Sequence, residues 1–228
     1  MMSATKTLSR LRYESFSEPL TVDSPALNAY IEVGSISLKT HAIARVDVEA
    51  RIEDVEVRVW QEDGCVFIRE QKARAGQGMA QPKADILVTL PPECATLVQV
   101  VTGAVAVHNL AAAVQTHVIT GKTTLSNLQG PIVATSVTGS INYGGTLVDD
   151  MHRFMTTTGS IHLALQEPPN ARIYAWATTG HVQCDLALTQ KRRGGYLTGD
   201  HLYGVSGNGE GRILAEVTTG LVRLGAAA

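Results

Sequence analysis

The sequence has few aromatic residues, few cysteines and almost no net charge. Aromatic side chains make up 5% of the 228 residues, and 19 basic against 21 acidic residues leave a formal charge of −2. A near-neutral chain with few rings to stack on bases argues against nucleic acid as a partner. Cys65, Cys94 and Cys184 show no C-x-x-C spacing, so neither a disulfide framework nor a cysteine metal site is expected.

Long apolar runs are also missing. No stretch approaches the ~20 apolar residues of a membrane-spanning helix. Residues 1–13 contain Lys6, Arg10 and Arg12 but are not followed by the apolar run of a signal peptide. We therefore expect a cytoplasmic protein without direct membrane insertion, whose association with an envelope would depend on a partner.

The sequence does contain a repeat built around glycine. Seven glycines, each preceded by threonine, recur at intervals of 18–21 residues, and apolar residues alternate with polar ones on both sides of them. One short strand pattern per fixed period predicts an all-β fold, a single-stranded parallel β-helix or solenoid with about 18–21 residues per coil. Glycine suits the bend between two strands of a coil because it accepts positive φ. The seven are Gly103, Gly121, Gly139, Gly159, Gly180, Gly199 and Gly220.

One of the seven copies fits the repeat poorly. His201 stands where the Gly199 copy should have an apolar residue, and further glycines flank it. The structural repeat is therefore assigned to the other six glycines. Whether residues 190–211 form a coil or a hairpin stays open.

Alignment on the glycines predicts which positions face the interior. Residues three and five before each glycine, and two and four after it, are mostly apolar or small and alternate with polar residues. Two strands of each coil are therefore expected to share one interior. Asn109 and Asn127 each lie six residues after a glycine, so they are predicted to stack as a structural ladder.

Residues 1–95 differ from residues 96–228, which contain the regular repeat. Apolar and charged residues alternate in 45–52 and again in 55–59, a pattern typical of antiparallel strands with one face in water. We predict a strand-rich, partly antiparallel section over 1–95 that caps a solenoid domain over 96–228. An early copy of the glycine step occurs at Gly34.

The Thr-Gly-x-Ile/Val-x-Leu steps resemble the bacterial putative-adhesin family, also called toastrack domains, whose members repeat short units of this kind. Residues 207–209 and 212–224 resemble that family's closing unit. The resemblance covers 96–228 well and the region of Gly34 loosely. It implies a single-stranded parallel β-helix without catalytic residues, in proteins often encoded beside envelope-stress and membrane modules.

Motifs that could carry chemistry are weak. Gly121-Lys122-Thr123-Thr124 is not a phosphate loop, because Thr116 stands where the first glycine is required. The seven histidines lack metal-ligand spacing and are interpreted as surface residues. Asp149, Asp150, His152 and Arg153 form a polar cluster, but adjacent strand residues point to opposite faces, so a polar corner is favoured over a catalytic pair. No catalytic, cofactor or metal site is predicted.

The leading hypothesis is a non-enzymatic interaction or scaffold module. Met155 and Trp176 lie four residues before their glycines, on the outward phase of the strand, and are predicted to form an exposed partner patch on successive coils. A protein partner or self-association is expected, the latter through an exposed last coil at 221–224. The alternatives are a self-assembling β-helix resembling the bactofilins and, with less support, a carbohydrate-active β-helix enzyme using the cluster around Asp149.

Overall fold

The chain folds into one open, mixed β-sheet. The computed structural model describes residues 6–9, 13–19, 25–53, 55–72, 83–195 and 198–227, and no helix occurs within these ranges. The described residues contain fifteen strands. They are β1 (Lys6–Ser9), β2 (Tyr13–Pro19), β3 (Ala26–Thr40), β4 (Arg45–Glu53), β5 (Val55–Glu62), β6 (Cys65–Lys72), β7 (Lys83–Leu90), β8 (Ala95–His108), β9 (Val114–Ser126), β10 (Ile132–Gly145), β11 (Met151–Leu165), β12 (Ala171–Cys184), β13 (Thr189–Gly195), β14 (Asp200–Val205) and β15 (Gly211–Ala226).

Seven long strands are parallel and carry their glycines in register. They are β3, β8, β9, β10, β11, β15 and β12, in the order in which they lie side by side. We call the aligned glycines the glycine row, and the parts of each strand before and after the glycine its leading and trailing halves. The row contains, in spatial order, Gly34, Gly103, Gly121, Gly139, Gly159, Gly220 and Gly180.

Close approach of neighbouring backbones explains why glycine is needed in the row. Gly139 has a φ of 148°, a conformation that side chains with a Cβ rarely adopt. A Cβ at Gly139 would also overlap the carbonyl oxygen of Gly121 on the next strand. The same collision repeats along the row, so each position excludes every residue larger than glycine.

Each long strand changes its buried face at the glycine. In β11, His152, Phe154 and Thr156 are buried before the glycine, and Ile161 and Leu163 are buried after it. The alternation therefore shifts phase, and the apolar side chains of both halves belong to one hydrophobic core. The positions predicted to face inward, three and five residues before the glycine and two and four after it, are confirmed in the seven strands, with Cys184 of β12 only partly buried.

A short asparagine ladder closes two of the turns that follow the trailing halves. The Asn127 side-chain amide donates to Oδ1 of Asn109 at 3.2 Å. Both residues have left-handed backbone angles, with φ values of 51° and 61°. The next residues, Leu110 and Leu128, are buried. The predicted stacking of the two asparagines is therefore confirmed.

The first section of the chain contains the antiparallel pairs that the sequence predicts. β5 pairs antiparallel with β6, and β4 pairs antiparallel with β7. β3 joins this section to the parallel strands, because its leading half pairs with β6, its trailing half with β7, and both halves with β8. β3 therefore lies before residue 95 in sequence but belongs to the glycine row.

The last strand of the chain does not lie at the end of the stack. β15 is inserted between β11 and β12 and pairs with β11 over 212–226 and with β12 over 211–224. The predicted exposed edge at 221–224 is therefore wrong, and so is self-association through it. The alternation of residues indicates which face of a strand is buried but not which strand lies beside it.

The strands at 189–195 and 200–205, which we call the hairpin, take the place of a coil. β13 and β14 pair antiparallel, and β14 pairs antiparallel with the leading half of β12. Gly199 lies outside the glycine row and lacks positive φ. The exclusion of Gly199 from the six repeat glycines therefore agrees with the structure.

Candidate interaction surface

Four aromatic rings lie together on the outer face of the sheet. Tyr174 and Trp176 alternate with buried alanines along β12, so both point outward. On the adjacent strand β14, Tyr203 pairs with Tyr174 and His201 pairs with Trp176. We call Tyr174, Trp176, His201 and Tyr203 the aromatic platform.

The rings contact each other in pairs and remain open to solvent. The centroids of Tyr174 and Tyr203 are 5.0 Å apart with tilted planes, and those of Trp176 and His201 are 5.4 Å apart and stacked. Trp176 is 48% exposed and Tyr174 is 36% exposed. Large rings held on paired strands lose little conformational freedom when a partner covers them.

A glycine on the hairpin leaves space for the His201 ring. Gly194 pairs with His201 across β13 and β14. A Cβ at Gly194 would overlap the imidazole ring. The missing side chain therefore lets the ring lie over the strand while it stacks on Trp176.

Exposed arginines surround the platform. The Arg212 guanidinium lies 5.7 Å from the centroid of the Tyr174 ring. Arg172 and Arg192 are exposed and lie next to the platform in the sheet register. Within the described ranges, no carboxylate lies within 4.0 Å of these three side chains. The platform therefore combines aromatic surface with unpaired positive charge.

Met155 and Trp176 are not neighbours. Glu216 of β15 pairs with Met155 on one side and with Trp176 on the other. Met155 is half-buried, whereas Trp176 is exposed. The predicted arrangement on successive coils is wrong because β15 separates the two strands. The outward orientation predicted for Trp176 agrees with its exposure.

The polar cluster at 149–153 does not converge on one site. Asp149 and Asp150 are exposed at a turn, whereas His152 is fully buried and its Nε2 lies 2.9 Å from the carbonyl oxygen of Val148. Burial lowers the pKa of His152, so the imidazole is neutral at pH 7. The interpretation of all histidines as surface residues is wrong for His152, and the polar-corner interpretation agrees with the exposed carboxylates.

Asn170 organises that corner. Its side-chain amide donates to Asp149 at 2.9 Å and to Glu210 at 3.2 Å. Its Oδ1 accepts from the backbone N–H groups of Asn208 and Gly209, at 2.6 and 3.0 Å. These bonds hold the turn through which the chain reaches β15.

The remaining motifs hold no assembled site. Thr123 is buried and Gly121 belongs to the glycine row, so 121–124 is part of the sheet. Burial raises the pKa of the Cys94 thiol to about 12, and burial also raises the pKa values of Cys65 and Cys184. Among the described residues, no group of three or more His, Cys, Asp or Glu side chains could hold a metal ion.

A charged pair closes the open edge of β12 beyond the glycine row. The Asp200 carboxylate accepts from the Val182 N–H at 3.0 Å, and the Arg193 guanidinium donates to the Val182 carbonyl at 2.8 Å. Arg193 and Asp200 also form an ion pair of 2.6 Å. The hydrogen bond and charge of Arg193 lower the pKa of the Asp200 carboxyl. Two side chains thus take the place of a further strand at Val182.

In the described part of the chain, no helix is long and apolar enough to cross a membrane. Residues 1–13, on which the expectation about export depends, lie largely outside the described ranges.

No protein-family model and no curated protein matches the chain. Among solved structures, it is similar to a putative cell adhesion protein from Clostridium sporogenes, with 11% sequence identity and a TM-score of 0.45 over 93% of this chain and 98% of that one. At this identity and TM-score, the similarity assigns no function to this chain.

Proposed function

We propose that this chain is a non-enzymatic β-solenoid that acts as an interaction module, and that the aromatic platform is its contact surface for a protein partner. The observation that carries the proposal is the pair of exposed rings, Tyr174 and Trp176, on the outer face of a regular sheet. The toastrack-like pattern of the sequence agrees with a solenoid of this kind.

The solenoid part of the proposal is supported by the parallel strands. Seven long strands lie in register at one glycine each, and the buried side chains of both halves belong to one core. Repeats that contact only their neighbours build extended, rigid surfaces that suit binding. A rigid surface is what a scaffold requires.

The composition of the platform favours a protein partner. Trp, Tyr and Arg are the residues most enriched among those that dominate the energy of protein interfaces. The platform and its rim contain one Trp, two Tyr and three Arg on the adjacent strands β15, β12, β14 and β13. Within the described part of the chain, none of these Arg side chains has a carboxylate within 4.0 Å. Partner contact would bury the rings and complement the positive charge.

A photoreactive side chain tests the proposal. Benzoylphenylalanine at Trp176 should give a discrete adduct in extracts of the organism that carries the gene, because a bound partner would cover this position. The matched control is the same side chain at Lys122, which is exposed on a trailing half. The adduct should disappear when Arg212→Gln and Tyr203→Ser are added. Equal adducts at both positions, or an adduct insensitive to the added changes, would contradict the proposal.

A further inference from the structure

The hairpin next to the aromatic platform ends in an unpaired strand edge. Among the described residues, β13 pairs with β14 on one side and with no strand on the other, and it is the last strand in the order of the sheet. Such an edge presents backbone N–H and C=O groups that can pair with an incoming strand. Addition of an extended peptide to a sheet edge is a common mode of protein recognition.

The charges on β13 select what can pair with it. Lys191 and Arg192 are exposed, and within the described ranges no carboxylate lies within 4.0 Å of either. Arg193 is already paired with Asp200. A second copy of this chain would place like charges opposite each other, which is destabilising, whereas an acidic strand would place opposite charges there.

The platform continues in register onto β13. Arg192 pairs with Tyr203, and Gly194 pairs with His201. A strand added beside β13 would therefore place alternate side chains next to Arg192 and next to Gly194. Because Gly194 has no side chain, a large residue of the added strand could pass over it and reach the His201 ring.

We propose that an acidic, extended segment of a protein partner adds to β13 as a further strand and contacts the aromatic platform with alternate side chains. The inference rests on the proposed function, since it names the partner class for the same surface. The backbone of β13 at 192–195, where its pairing with β14 is regular, supplies hydrogen bonds. Lys191 and Arg192 supply charge selection, and the platform supplies apolar contact.

Selection from a phage-displayed library of random heptapeptides tests this inference. The enriched peptides should be net acidic and rich in β-branched residues. Enrichment should be lost on a Lys191→Glu, Arg192→Glu variant and retained on a Lys122→Glu variant, which changes an exposed lysine on a trailing half. A neutral or basic enriched pool, or equal enrichment on the charge-reversed variant, would overturn the inference.

Backbone methylation then separates strand addition from simple charge attraction. In an added strand, alternate N–H groups face β13. N-methylation of one set of alternate residues in a selected peptide should therefore weaken binding about tenfold or more, while methylation of the other set should have little effect. Equal effects of both sets would overturn strand addition, as would equally strong binding of polygalacturonate or single-stranded DNA.

The two proposals fail in different ways. If peptides fail these tests while the adduct at Trp176 persists, the partner uses the platform without adding a strand. If the adduct at Trp176 is also missing, the proposed function itself is wrong.

Discussion

The Asp200 carboxylate accepts a hydrogen bond from the Val182 N–H at 3.0 Å, where a parallel sheet would otherwise continue. Val182 lies two residues after its row glycine and its side chain is buried. Its backbone groups on the open side are satisfied by side chains instead of a strand. An unpaired edge is a site for unwanted strand addition, so this contact ends the stack.

Replacing Asp200 by Asn should weaken the fold and change its response to acid. Loss of the charged acceptor should lower the free energy of unfolding by about 1–3 kcal/mol at pH 7. The folded-state pKa of Asp200 lies below its ordinary value of 3.8, so the carboxylate stabilises the fold above pH 3.8 and this stabilisation is lost as the pH falls through the folded-state pKa. Urea unfolding from pH 7 to pH 3 should therefore show a smaller decrease in the variant than in the wild type. Parallel curves would contradict this role.

Removing both capping side chains should open the edge of β12. The wild type is expected to be a monomer, because β15 is paired on both sides and Asp200 and Arg193 cover Val182. At the outer edge of β13, the exposed Lys191 and Arg192 oppose pairing with a second copy. Light scattering across a concentration series should show a constant mass for the wild type and a rising mass for Asp200→Ala, Arg193→Ala. A concentration-dependent mass of the wild type would instead support the self-assembling, bactofilin-like alternative.

Gly139→Ala should be strongly destabilising. The added Cβ would collide with the Gly121 carbonyl at a φ of 148°, and we expect a loss on the order of 3–5 kcal/mol. Gly144→Ala is the matched control, because a Cβ there meets nothing within 4 Å, and it should stay within about 0.5 kcal/mol of the wild type. Similar midpoints of urea unfolding for the two variants would show that the glycine row does not restrict residue size.

His152 should make stability depend on pH near neutrality. Burial lowers its folded-state pKa below the ordinary 6.5, so the unfolded chain takes up the proton first and stability falls as the pH drops below 6.5. Ile132 and Ile213 occupy the paired positions on the neighbouring strands. His152→Ile should therefore be tolerated. It should also remove the pH dependence that His152 causes, which is a change in the free energy of unfolding of up to about 1.4 kcal/mol per pH unit.

The control for His152 is another histidine on the opposite side of the sheet. His117 is exposed, so His117→Gln is the matched variant that removes an imidazole from the surface instead of from the core. If His117→Gln and His152→Ile flatten the dependence equally, burial of His152 is not its cause.

Asn170→Ala should destabilise the turn that leads into β15. Its Oδ1 accepts from the N–H groups of Asn208 and Gly209, and leaving these donors without that partner should cost about 1–3 kcal/mol. Asn142→Ala removes only a bond to the Ser140 hydroxyl at 3.2 Å and should be nearly silent in thermal unfolding. Equal melting temperatures of the two variants would contradict a structural role of the corner.

Much of the fold was predictable because the repeat reports local geometry. The threonine–glycine steps and the alternation around them predicted the parallel strands and the inward positions. His152 could also have been found, because it lies seven residues before Gly159 and continues the inward positions at three and five. It was missed because histidine is usually exposed, whereas here the neighbouring strands bury it.

The candidate surface was only partly predictable. The outward phase of Trp176 follows from its distance to Gly180. Its neighbours do not follow, because β15 lies between β11 and β12 although β12 comes directly after β11 in the sequence. The alternation in Tyr174-Ala175-Trp176 and His201-Leu202-Tyr203 was a usable signal for two outward-facing pairs. Which ring pairs with which could not be predicted, because it depends on the register between β12 and β14.

The position of β15 determines which residues form the aromatic platform, and engineered disulfides test it most directly. In a background without the native cysteines, two variants place a pair of cysteines on adjacent strands: Met155→Cys with Glu216→Cys, and Trp176→Cys with Glu216→Cys. Adjacent strands lie about 4.8 Å apart, which is within the Cα separation that a disulfide bridges. Met155→Cys with Trp176→Cys places the cysteines two strands apart, about 9.6 Å. We predict that oxidation links the first two pairs and not the third. A disulfide between positions 155 and 176, with none to position 216, would contradict the strand order and the platform built on it.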